Sequence, residues 1–206
     1  MSYQDEIIQY LQIPENLDLA LKITEVMPEV KSRLYQSFWE CVYERLSAKQ
    51  ATGWMVARPQ LSFDNKGHYG INLQPTPFSY GEKALWVFMM TENYRLWIGI
   101  QGTFRPSELK GIASTRAHEI IDDLTKVGYR TTRSSVWVWN WVDDRSDRSL
   151  NEPATLVEIS KGNSFGIEMA DILWNFFEKQ RAGLELLNVE VNRSSYSKEI
   201  ENPAAK

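Results

Sequence analysis

Apolar residues recur along this chain at two spacings, threes and fours near both ends and around residues 109 to 124, twos through much of the middle, and the switches between them predict its elements. Ser2 offers a cap for a short helix carrying Ile7, Ile8 and Leu11, which Pro14 stops, and Asn16 offers one for Leu17, Leu21 and Ile23. Pro28 suits the first turn of a longer helix reaching about Ser47. There Val30, Leu34, Phe38 and Cys41 lie beside a second row of Tyr35, Trp39, Val42 and Leu46, a face wide enough for burial on two sides.

Gly53 and Pro59 break the helical pattern before Gln60 to Phe63, which the turn Asp64-Asn65-Lys66-Gly67 folds back into Tyr69 to Leu73. After a Pro- and Gly-bearing loop over 74–83, Ala84 to Met90 and Tyr94 to Gln101 form a second predicted hairpin around Thr91-Glu92-Asn93. Pro106 opens a helix ending at Gly128, the Val136 to Val142 strand follows, and Asp143 to Pro153 reads as an exposed loop. A strand over Ala154 to Ile159, a long helix after Gly162 and a polar, disordered tail beyond Asn192 complete the chain. The expected fold is α+β: a mostly antiparallel, aromatic-rich sheet of about six strands packed by long helices. Residues 1–50 would be a helical segment on the main domain, 51–190 that domain, and 191–206 the tail.

Within this pattern the run V-W-V-W-N-W-V places Trp137, Trp139 and Trp141 at every second position, along one face of an ideal strand. Arg130, Arg133, Arg145 and Arg148 bracket it, so bases stacked on indoles with guanidiniums on phosphates would make a single-strand nucleic-acid surface. Asp143, Asp144 and Asp147 offset that local charge, and tryptophans at this spacing also pack beneath helices such as the one carrying Trp174, Phe176 and Phe177. The stripe therefore reads first as architecture and its arginine rim as the functional part.

Composition narrows the choices. A net charge of −4 over 206 residues argues against a broad duplex-DNA footprint and leaves room for a local basic patch. Cys41 is the only cysteine, which excludes an internal disulfide or a cysteine zinc cluster and suits a reducing, cytoplasmic setting. No basic leader and no long apolar run points to a membrane.

Three motifs suggest catalysis. Gly162-Asn163-Ser164-Phe165-Gly166 matches a nucleophile elbow, yet both histidines, His68 and His118, precede Ser164, whereas that class places its base after the acid. A tight turn and helix cap account for it equally well. His118 and Asp122 share a helix face in an H-E-x-x-D variant of the zinc-protease motif, without further histidines to complete a site. Asp64-Asn65-Lys66 has the acidic-x-basic form of metal nucleases but runs into Gly67 as ordinary turn chemistry. No Walker loop or dinucleotide fingerprint is present, and no cofactor is implied.

Asn16-Leu17-Asp18-Leu19-Ala20-Leu21-Lys22-Ile23, the later Phe38-Trp39, and Gly70-Ile71-Asn72-Leu73 followed by Leu96-Trp97-Ile98-Gly99-Ile100 carry one further signal. Across much of residues 16 to 142 they resemble the region downstream of the nuclease core in PD-(D/E)XK-type proteins of bacterial defence and mobile elements. The resemblance implies an accessory, nuclease-associated domain. The proline-acid motif and acidic-x-lysine strand of the nuclease core are missing, so no catalytic residue carries over.

The sequence thus supports a non-catalytic module recognising a protein or single-stranded nucleic acid through Trp137, Trp139, Trp141 and the flanking arginines. The alternatives are a small hydrolase using Ser164, a metal-dependent enzyme using His118 and Asp122, and an acidic neutraliser of a basic toxin.

Overall fold

The computed structural model describes residues 2–57, 69–76, 83–142 and 149–201, with side chains described as far as Arg193. The predicted strand Gln60 to Phe63, the turn Asp64 to Gly67, and Arg145 and Arg148 lie outside the described residues. The chain divides into two units, Met1–Ser37 and Phe38–Lys206.

In the first unit, α1 spans Tyr3–Leu11 and opens on a capping box. The Ser2 hydroxyl accepts from the Asp5 amide, and the Asp5 carboxylate accepts from the Ser2 amide at 2.8 Å. The second helix, α2, runs Pro14–Ser47 and contains Pro28 in its interior, where the sequence pattern predicts a new start. Proline lacks one N–H donor, but continuous helix on either side carries the segment through that loss.

The second unit holds a six-stranded antiparallel sheet: β1 Trp54–Ala57, β2 Gly70–Pro75, β3 Leu85–Glu92, β4 Arg95–Gly102, β5 Arg130–Thr131 and β6 Val136–Trp141, in the order β1-β2-β3-β4-β6-β5. The β3–β4 hairpin turns on Asn93 and Tyr94, both with positive φ, as a two-residue turn of matching twist demands. A 3₁₀ turn at Pro106–Glu108 precedes α3, Gly111–Lys126. Gly128, with φ of 96°, ends that helix as expected: its amide donates to Thr125 and the Tyr129 amide to Leu124.

Residues Pro153–Ser160 form α4, not a strand. Pro153 occupies the first turn, and the buried residues Thr155 and Ile159 are four apart, so the short apolar run reads at helical period. The last helix, α5, runs Ser164–Glu201, past Asn192.

Cross-strand pairing assigns the two sheet faces. Trp54, Leu73, Val87, Ile100 and Val138 share one face through successive register pairs, and Trp54 meets Phe177 of α5 edge-on at 4.9 Å. The core lies here, between sheet and helices. Two asparagines one turn apart tie α5 to the start of β3. Asn188 accepts from the Leu85 amide at 2.8 Å and donates to its carbonyl, and Asn192 makes the same pair of bonds with Lys83. These amides take the place of a neighbouring strand where β2 no longer pairs.

Candidate aromatic binding face

The opposite face carries the alternate residues: Asn72 of β2, Trp86 and Phe88 of β3, Trp97, Gly99 and Gln101 of β4, Trp139 and Trp141 of β6, and Arg130 of β5. Phe88 at its centre is wholly buried, and Trp86, Trp97, Trp139 and Trp141 are half-buried. Four rings run across the strands edge to face: Phe88 to Trp97 at 4.7 Å, Trp97 to Trp139 at 5.6 Å, and Trp139 to Trp141 at 5.2 Å. Gly99 makes that closeness possible, because a Cβ there would lie 2.9 Å from the Phe88 ring and collide with the Val138 carbonyl oxygen.

Two guanidiniums sit on this surface. Arg95 lies 4.2 Å from the Trp141 ring centre, and Arg130 lies 5.1 Å from that of Trp139. Neither pairs with a carboxylate among the described residues, although other arginines of the fold do, such as Arg116 with Glu190 at 3.0 Å. A guanidinium stacked by its plane keeps its edge donors free for an anion.

Polar atoms on the same face are shielded from solvent and unpartnered: Asn72 Oδ1, Trp86 Nε1, Trp97 Nε1 and Gln101 Oε1. Trp86 and Gln101 stand directly opposite each other without bonding. Each such atom costs about 1–3 kcal/mol when left unpaired.

The predicted site residues divide. Trp139, Trp141 and Arg130 come together on this face. Trp137 does not join them: it is 1% exposed, donates from Nε1 to the Phe104 carbonyl at 3.0 Å, and packs edge-on against the Phe104 ring. The cause is a bulge. Val136 pairs with Gln101 and Val138 with Ile100, so two steps on β6 match one on β4 and the strict alternation fails at Trp137. Arg133 is exposed in the turn between β5 and β6 and makes no ring contact among the described residues. Sequence reasoning did not single out Arg95, Trp97 or Asn72 as site residues; their signal lay in the register pairing of Trp97 with Trp141 and of Asn72 with Phe88.

The residues of the catalytic alternatives lie on α3 and at the start of α5. His118 Nδ1 lies 2.7 Å from the Ser114 carbonyl oxygen, one turn back on its own exposed helix face. Ser164 is the first residue of α5, and Gly166 brings that helix against Cys41, whose sulfur would lie 2.8 Å from a Cβ at 166. Close helix packing accounts for the second glycine of the motif. Among the described residues no group of three potential metal ligands converges.

A cleft of about 510 Å³ lies among the end of α2, β1 and α5, with Tyr43, Lys49, Trp54 and Trp174 on its walls. Its charges are matched internally. Asp171 takes Lys49 at 2.8 Å and Arg45 at 3.3 Å, contacts that hold its carboxyl below the ordinary range, Lys49 contributing most.

Compared with protein-family models, curated proteins and solved structures, the chain matches none. Among the described residues no helix is long and apolar enough to cross a membrane.

Proposed function

We propose that this chain is a non-catalytic binding module that takes single-stranded nucleic acid on the aromatic face of its sheet. The observation carrying this reading is the pair Arg95 and Arg130, lying over the rings of Trp141 and Trp139 with no carboxylate partner among the described residues. Cations beside indoles match a ligand that alternates anionic groups with flat rings, the composition of an unpaired nucleotide strand. A duplex fits less well, because a chain of net charge −4 offers little to neutralise two phosphate backbones. An acidic peptide would answer the arginines but leave the ring row without a stacking partner.

In the DNA-processing setting that the family resemblance implies, single-stranded DNA is the first probe. Fluorescence anisotropy of a labelled oligonucleotide should report binding that weakens as salt rises. Arg95→Ala and Arg130→Ala should each lower affinity and flatten the log–log salt dependence by about 0.7 if one phosphate contact is lost. Absence of binding at low salt, or unchanged affinity in both variants, would refute the reading; competition by an acidic peptide alone would transfer the face to a protein partner.

A further inference from the structure

Twelve of the large hydrophobic residues that stand exposed lie between Tyr3 and Val30, in a segment where α1 buries no residue. Short helices with their apolar sides in water gain little from tertiary packing, which supplies most helical stability in proteins. On α2 the exposed Leu19, Ile23, Val26 and Val30 follow one another at intervals of four, three and four, the spacing of a coiled-coil seam. Val26 is 54% exposed and Ile23 46%, so this seam is open. Pro28, five residues past Ile23, falls on the side of the helix away from it.

We infer that this seam pairs with a second copy of the chain, antiparallel, about a two-fold axis near residue 25. The charges beside the seam select this occupant. Along one edge run Asp18, Lys22, Glu29 and Arg33, joined within the helix as Asp18–Lys22 at 2.7 Å and Glu29–Arg33 at 2.8 Å. Read from the other end, the order of signs inverts at every position. Two antiparallel copies therefore set Asp18 toward the second copy's Arg33 and Lys22 toward its Glu29, and each pair occurs twice by symmetry. The same arrangement layers Leu19 on Val30 and Ile23 on Val26. A parallel pair would set this edge on opposite sides of the seam and forgo these ion pairs, and a different partner would need this sign order by coincidence.

Sedimentation equilibrium of the full chain tests the pairing. Wild-type protein should be a dimer dissociating in the micromolar range or below. Lys22→Glu alone and Glu29→Lys alone should each raise the dissociation constant at least tenfold, because each sets like charges together twice by symmetry. An equimolar mixture of the two variants should recover near wild-type affinity as a heterodimer, a rescue that altered helix stability within either chain cannot produce. Val26→Asp should be monomeric while keeping its helical circular dichroism. A monomeric wild type at all concentrations, a dimeric Val26→Asp, or a mixture no tighter than its components would overturn the inference.

Discussion

Trp137 and Trp139 stand two residues apart on one strand and occupy opposite surroundings, the first sealed under Phe104 and the second, half-buried, beneath Arg130 on the other face. One extra residue in β6 separates them, and with it architecture from candidate chemistry. Tyr129, just beyond α3, shows a different cost of burial. It stacks on Phe176 with ring centres 5.3 Å apart, and burial pushes its phenol up to about 12. The neutral ring is the form the fold favours. Its contribution is thus complete below about pH 10, the ordinary range for tyrosine, and lost as pH rises toward 12. Denaturant titrations across that window should show a loss of stability in wild type, and Tyr129→Phe should lack that component. An identical alkaline profile in the variant would show that Tyr129 is not its source.

At the scale of elements, the tie between α5 and β3 rests on side chains acting as backbone. Asn188 is wholly buried and satisfies both backbone groups of Leu85. Asn188→Ala should cost about 2–4 kcal/mol by orphaning them, seen as a lower midpoint in urea unfolding with an unchanged slope. Asn192→Ala should cost less, because Lys83 is exposed and water can replace the lost bonds. No propensity or period announces such a pair; two asparagines on a helix become meaningful only once a strand end is known to lie beside them. The strands themselves were more legible. Alternation around Leu85–Glu92 and Arg95–Gly102 marked both, since one face of each is fully buried. The short apolar run of α4 was ambiguous in period, and Pro28 looked like a boundary because its backbone cost is local while the support for α2 comes from the turns around it.

For the whole molecule, an aromatic-rich antiparallel sheet packed by helices was readable from the chain, and so was part of the candidate site: Trp139, Trp141 and Arg130. The remainder, Arg95, Trp97, Asn72 and Gln101, comes from two further strands, β4 and β2, whose register no single segment encodes. The two proposed surfaces, a ring-and-arginine face on the sheet and an apolar seam on α2, have independent tests. The face is the central claim. Its most direct test follows the indole N–H resonances, assigned by single Trp→Phe substitutions, while unlabelled single-stranded DNA is added. Trp86, Trp97, Trp139 and Trp141 should shift with a common saturation curve and Trp137 should stay fixed, its N–H already held by Phe104. Saturable shifts confined to Trp137 or to the cleft residues Trp54 and Trp174, or no shifts at all, would contradict the account.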